Sequence, residues 1–329
     1  MLRVRVAGLG SYLPQRIVPS SELEQRWNLP EGWIMRVAGV RERRYAAGES
    51  TVEMAANACR QAIAHAEISP SEIDLIIGAS ITPQQAVPCT AVFVQRQLGL
   101  WDSACPCFDM NATCLSFLYA LHAAAHFVSA GAYRNILIFS SEMHSISMNP
   151  KEPASAVLFG DGAAAAVLSA TPAGDSACIW DAEFSTDSRG AEATQYLGCG
   201  SLHPPNDPGT TREMHLFTMD GPAVYRLAAR TLPPFVDRFF SRLGWERESV
   251  SAVVPHQASL HGLRLLTERL GFCPPQILTN LEDRGNCGAA SVPLLFAEAA
   301  HSGRIQRGQR VILAGTGAGI SMGIVALTF

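Results

Sequence analysis

At 329 residues, 48% hydrophobic and 16% charged, the chain can form a large core, and its length suggests about two domains. A net charge of −4 argues against a general nucleic-acid surface. No apolar run approaches the roughly 20 residues of a spanning helix, so neither nucleic acid nor membrane is an expected partner.

The start, Met1-Leu-Arg-Val-Arg-Val-Ala-Gly-Leu-Gly10, alternates like a strand and has no signal-peptide core. Cytoplasm is therefore the expected compartment. In chain order, buried strands are predicted at 4–8, 75–80, 135–140, 164–168, 252–255, 311–314 and 323–328. Helical patterns lie between them at 51–66, 90–98, 114–130, 221–243, 260–270 and 289–301. This alternation argues for α/β architecture with mostly parallel sheets. Residues 187–212, rich in Gly, Pro, Asn and Thr, read as a long surface loop. A boundary near 170–180 divides the chain into an N-terminal half, 1–172, and a C-terminal half, 173–329.

The two halves repeat one another. Leu98-Gly99 and Gly131 recur as Leu270-Gly271 and Gly303, 172 residues later, and at that offset Cys114 falls on Asn286. The second copy also carries Val254-Pro-His256-Gln. Pseudo-equivalent halves pack face to face and collect ligands where they meet. A thiol, an imidazole and a carboxamide are thus expected in one site.

Each residue also has a plainer reading. Cys114 opens the pattern 114–130, where a helix N-terminus is expected to lower its pKa, yet from the local sequence alone it reads rather as a buried structural cysteine. His256 follows a buried strand, at the carboxyl end where α/β sites gather. Asn286, in Arg284-Gly-Asn-Cys-Gly288, is by itself as well explained as a turn or cap residue, and Asp161 in Gly160-Asp-Gly162 reads as a turn residue.

Nine cysteines without a Cys-x-x-Cys are not a disulfide framework. Cys59, Cys89, Cys178, Cys199 and Cys273 read as small buried hydrophobes, and Cys105-Pro-Cys107 as the approach to a strand; no metal is expected. Lys151 is the only lysine, so Schiff-base chemistry would rest on a single loop residue. The glycine-rich run 314–323 lacks the spacing and acidic partner of a dinucleotide site. Close approach of its backbone to a reacting carbonyl, as one arm of an oxyanion hole, is the better use.

Taken together, Asn-Ala-Thr-Cys114, Pro-His256-Gln-Ala-Ser, Gly-Asn286-Cys-Gly-Ala-Ala-Ser-Val-Pro and Leu158-Phe-Gly-Asp-Gly-Ala163 resemble the β-ketoacyl synthase III family of the thiolase superfamily. The likeness runs from residue 3 to the end and includes Gly8-Leu-Gly-Ser-Tyr-Leu-Pro14 and Gly39-Val-Arg-Glu-Arg43. It implies a five-layer αβαβα fold of duplicated halves, usually a homodimer.

It also implies roles. Cys114 resembles the nucleophile acylated by an acyl-CoA. His256 and Asn286 resemble the pair that holds the enolate formed when a malonyl thioester, carried by an acyl carrier protein, loses CO₂. The main-chain N–H groups of Cys114 and Gly319 resemble the oxyanion hole, and no cofactor beyond the coenzyme A substrate is implied. Trp33 resembles the residue that stacks on the coenzyme A adenine, with Val37 where an arginine is usual. Ser259 stands in a segment that is usually Asn-Leu-Arg, while Arg226 and Arg269 keep basic character for a carrier protein. Val87 takes the place of a bulky phenylalanine that limits acyl length from the dimer partner, implying a primer longer than acetyl. Leu115-Ser116 resembles the acyl-CoA-condensing relatives of olefin biosynthesis. Non-decarboxylative condensation, or acyl transfer to a hydroxyl or amine, are the alternatives; Asn286 favours the decarboxylative reaction.

Overall fold

The structure, a computed structural model, describes residues 1–198 and 200–329, and of residues 266–268 the backbone only. Its first sheet holds β1 (Val4–Tyr12), β2 (Leu75–Gly78), β3 (Cys107–Asp109), β4 (Asn135–Glu142) and β5 (Gly162–Ala170), in the order β1-β5-β4-β2-β3. The second holds β6 (Cys178–Gly190), β7 (Ala252–Pro255), β8 (Arg310–Gly317) and β9 (Gly319–Thr328), in the order β7-β8-β9-β6. Helices α1 (Thr51–His65) and α2 (Thr90–Gln97) cover the outer face of the first sheet. Between the sheets lie α3 (Ser116–Ser129) and α6 (Ser291–His301), and α4 (Gly221–Leu243) with α5 (Leu260–Leu270) packs outside the second. This is the five-layer αβαβα arrangement of a thiolase fold.

The repeat has a backbone counterpart. β1, β5, β4 and β2 occupy the same order in the first sheet as β6, β9, β8 and β7 in the second, with β3 added at one edge. Gly99 and Gly271 follow α2 and α5 at φ 77° and 73°, and Gly131 and Gly303 follow α3 and α6 at 71° and 76°. These left-handed positions stop each helix at the same place, which only glycine does at no steric cost.

The sheets are mixed rather than mostly parallel. β2 pairs in parallel with β3 and β4, as does β7 with β8, but β1–β5, β4–β5, β8–β9 and β9–β6 are antiparallel. Apolar runs report burial on both faces, which either direction satisfies. The clue was Ala318, the single residue between β8 and β9, since so short a link joins only antiparallel strands.

β6 also runs through 187–190, the opening of the segment read as loop, and Thr194–Tyr196 pairs with Phe217–Met219. Its polar stretch escaped notice because its carboxylates meet α4: Arg238 lies 2.6 Å from Glu183 and Arg242 2.7 Å from Asp181. Cys59 and Cys178 are buried and Cys89 half-buried, but Cys273 is exposed in the turn after α5, where it begins a one-turn helix with Pro274. Cys199 lies outside the described residues.

Gly8 and Gly10 set the spacing of the outer layer. A Cβ on either would sit 2.1 Å from a carbonyl oxygen of α1, that of Ala62 or Ala58 respectively. The alanine face of α1 therefore rests directly on β1. Gly10→Ala is expected to lower stability by about 1–3 kcal/mol through overpacking; an unchanged denaturant midpoint would refute that contact.

Candidate active site

A cavity of about 520 Å³ opens where the turns ahead of the two central helices meet the carboxyl ends of β7 and β8. Its lining includes Cys114, His144, His256, Asn286, Gly317 and Gly319. Three of these, the thiol, imidazole and carboxamide singled out from the repeat, lie far apart in the chain and share this one space.

Cys114 sits in a tight turn between β3 and α3. Buried Ser116 holds that turn: its Oγ accepts from Ala112 N at 2.9 Å and donates to Thr113 O at 2.6 Å. Thr113 has φ +55°, and its buried Oγ1 has no hydrogen-bond partner. A β-branched residue held left-handed costs on the order of 1–3 kcal/mol, which the surrounding bonds sustain.

The expected lowering of the thiol pKa is overturned. α3 begins at Ser116, so Cys114 stands two residues ahead of the helix. Although Cys114 keeps some exposure to the cavity, burial of its sulfur, reinforced by the charge of Glu142, pushes the thiol up to about 12. A helix terminus contributes about 0.3–1 kcal/mol at the surface, and desolvation outweighs it.

His256 follows β7 directly, its N–H donating to Ala314 O at 2.8 Å. Burial pushes its imidazole down to about 4, so the ring is neutral at ordinary pH, and Nδ1 is a buried atom without a partner. Asn286 is pinned by its backbone: its N–H donates to Leu158 O at 2.7 Å, and Gly160 N donates to its carbonyl at 3.1 Å. Gly288 N donates to Oδ1 at 2.9 Å, which fixes the amide's direction and leaves its NH₂ only a 3.5 Å contact to Ala258 O. The site thus offers a thiol and two neutral hydrogen-bonding groups.

Glycines of β8 bring the second half against the first. A Cβ on Gly315 would lie 2.9 Å from His256 Cβ, and one on Gly317 would lie 2.4 Å from Thr113 Oγ1 and 3.4 Å from Cys114 N.

The remaining expected residues are scattered. Ser259 lines the cavity and also caps α5, accepting from Gly262 N at 3.1 Å. Arg226 is exposed outside the lining, between Tyr225 and Leu227, which belong to it. Trp33 is half-buried outside the lining, whereas Val37 lies within it. Val87 is 80% exposed and apart from this chain's own cavity, and Arg269 is exposed too. Asp161 is a structural anchor, accepting from Ser145 N, Ser145 Oγ and Ala46 N at 2.9, 2.6 and 2.9 Å. Lys151 is a surface residue 3.5 Å from Glu213. Among the described residues no cluster of His, Cys, Asp or Glu could hold a metal ion, and no helix is long and apolar enough to cross a membrane.

Glu142, His144 and Tyr196 were not anticipated. Glu142 is fully buried at the end of β4 and accepts from Ile81 N, Thr82 N and Thr82 Oγ1 at 2.8, 3.0 and 2.7 Å. His144, also buried, places Nε2 3.7 Å from Glu142 Oε2 and Nδ1 3.2 Å from Tyr196 Oη, and its ring stacks on Phe159. Burial pushes Glu142 up to about 7 and His144 down to about 3, so this contact is no salt bridge. The available signal was Ser140-Ser-Glu-Met-His144, a polar run closing an otherwise apolar strand; Tyr196 fell in the segment read as loop.

Gly317→Ala is expected to displace the Cys114 turn and slow reaction of the thiol with a thioester by about 10²-fold, the cost of roughly 1 Å of misplacement. Reaction at the parental rate would show that the clearance has no role.

Two family profiles match the chain: 3-oxoacyl-(acyl-carrier-protein) synthase III over residues 108–188, and its C-terminal domain over residues 240–329. A β-ketoacyl-(acyl-carrier-protein) synthase III of Desulfitobacterium hafniense is 34% identical over 324 residues, covering 98% of this chain and 97% of the relative. The crystal structure of the 3-oxoacyl-(acyl-carrier-protein) synthase III of Aquifex aeolicus superposes with a TM-score of 0.89 at 30% identity, covering 99% of this chain and 100% of that one. The priming β-ketosynthase of the R1128 polyketide pathway does so with a TM-score of 0.90 at 31% identity, covering 98% and 95%. The duplicated fold and the shared cavity agree with these likenesses across the whole length: the chain belongs to the 3-oxoacyl-(acyl-carrier-protein) synthase III family.

Proposed function

We propose that the protein is a condensing acyltransferase that primes 3-oxoacyl synthesis, working in the cytoplasm as a homodimer. The observation that carries this reading is the meeting of Cys114, His256 and Asn286 around one cavity. In the first step the Cys114 sulfur attacks the carbonyl of an acyl-CoA. The carbon–sulfur bond to coenzyme A breaks, and the thiol proton leaves on the coenzyme A sulfur. The backbone N–H groups of Cys114 and Gly319 hold the oxyanion.

In the second step a malonyl thioester, delivered by an acyl carrier protein, loses CO₂. His256 and Asn286 donate hydrogen bonds to its thioester carbonyl, which becomes the enolate oxygen. A neutral imidazole suits this role, since it donates without bringing a proton acidic enough to quench the carbanion. The carbanion attacks the acyl-Cys114 carbonyl, a carbon–carbon bond forms, and the Cys114 sulfur departs and is reprotonated.

Arg226 and Arg269 are basic contacts for the carrier protein, Trp33 stacks on the coenzyme A adenine, Ser259 is a further substrate-binding residue, and Val87 meets the acyl chain of the partner subunit. The exposure of Val87 in the single chain suits that last role. The halves divide at residues 172 and 173, a reading supported by the distribution of strands between the two sheets.

Intact-protein mass spectrometry after incubation with acyl-CoA tests the nucleophile. Cys114→Ala is expected to remove the acyl adduct entirely, and an adduct persisting in that variant would refute the assignment. Asn286→Ala is expected to keep the adduct while CO₂ release from malonyl thioester falls by about 10²–10³-fold, as when an oxyanion donor is lost. Equal losses in both steps would instead mean that Asn286 only supports the fold of the site.

A further inference from the structure

The cavity reaches further than the condensation steps require. Phe235, Val236, Leu265, Leu270 and Ile324 all line it, yet each is at most 4% exposed and belongs to the apolar packing of α4, α5 and the second sheet. A folded core normally leaves few voids larger than a water molecule. Here one arm of the cavity that holds Cys114 enters the core itself. Along α4 the lining runs from Gly221 to Val236, about 22 Å of helix axis.

Local sequence accounts for the opening. Pro233 and Pro234 carry no N–H, so the carbonyls of Ala229 and Arg230 lose the donors that a regular helix gives them. Just before them, Thr231 Oγ1 donates to Leu227 O at 2.8 Å, a side-chain bond that competes with the helical ladder. The helix is thus loosened where it borders the arm. Gly262, in the first turn of α5, lines the cavity as well. A Cβ there would meet nothing closer than 3.6 Å, so no clash calls for glycine. What the missing side chain leaves is space.

The walls select the occupant. The pantetheine of coenzyme A carries amides, which among these apolar side chains would be buried without hydrogen-bond partners. A hydrocarbon chain makes no such demand, and each methylene taken out of water is worth about fourfold in affinity. The arm is continuous with the space around Cys114, so the hydrocarbon that reaches it is the tail of an acyl group on that sulfur.

We propose that this arm binds the alkyl chain of a long-chain acyl group carried by Cys114. The inference rests on Cys114 being the nucleophile and names the class of primer, dodecanoyl rather than acetyl. Loading is the transfer described above, with the thiol proton leaving on the coenzyme A sulfur, and needs no further reactant. This course lies inside a single chain, beside the one toward the partner subunit on which Val87 bears.

Loading of Cys114 by acetyl-CoA and by dodecanoyl-CoA, each below saturation, is followed by intact-protein mass spectrometry. The parental protein is compared with Val236→Phe and Leu232→Trp, which put larger side chains into the arm. The parent is expected to load dodecanoyl at least tenfold faster than acetyl, as burial of only about two methylenes would suffice to give. Either variant is expected to lower the dodecanoyl-to-acetyl ratio by about fifteenfold, the equivalent of about two methylenes denied burial. Leu232 is only half-buried, so its variant carries the test should Val236→Phe not fold. A parental ratio in a variant that still loads acetyl would overturn the proposal. So would a parent that loads acetyl but not dodecanoyl. Absence of loading by either thioester in the parent would instead overturn the nucleophile assignment.

Discussion

The enclosure of α3 and α6 between two sheets is the constraint on which the site depends. Residues of both helices belong to one core with strands of both sheets, including Leu118, Leu121 and Ala125 of α3 and Leu295, Phe296 and Ala299 of α6. Both helices are buried over most of their length, only their last turns (His126, Phe127 and Ser129 of α3, His301 of α6) being exposed, so a displacement would open voids on two faces at once. The turns that lead into these helices are therefore fixed relative to one another, and those turns carry Cys114 and Asn286. Duplication made the two turns equivalent. Divergence then placed different chemistry on each, with His256 supplied from the end of a neighbouring strand.

The same enclosure sets the electrostatics. Removal from water raises the acids Cys114 and Glu142 and lowers the bases His144 and His256, each shift led by burial. The result is a site whose groups are mostly uncharged at neutral pH. An enolate or an oxyanion arriving there meets dipoles already oriented and little competing charge. In the proposed mechanism, reactivity comes from placement rather than from a permanently ionised thiolate.

Most of the architecture was legible because burial leaves period and punctuation in the chain. The limits of α4 and α5 at 221–243 and 260–270 and of β7 at 252–255 emerge as expected, since glycine or proline marks an end of each. Strand direction was not legible, because two-sided burial erases alternation, and β6 was hidden by carboxylates that look solvated but meet Arg238 and Arg242. Cys114, His256 and Asn286 could be brought together through the repeat. The direction of the thiol's shift could not, because it is led by desolvation, which depends on neighbours distant in sequence, with the charge of Glu142 adding to it. Residues such as Glu142 and His144 leave only a faint trace, a few polar letters at the end of an apolar strand.

The solitary lysine has a chemical consequence. Amines take acyl groups from activated thioesters to form amides that do not readily reverse, and most proteins display many such amines. Here only one side-chain amine is present, on the surface beside Glu213 and away from the cavity lining. On the proposed reading, in which the protein works amid acyl-CoA, it carries few places for stray, permanent modification, and the exchangeable acyl load is left to sulfur.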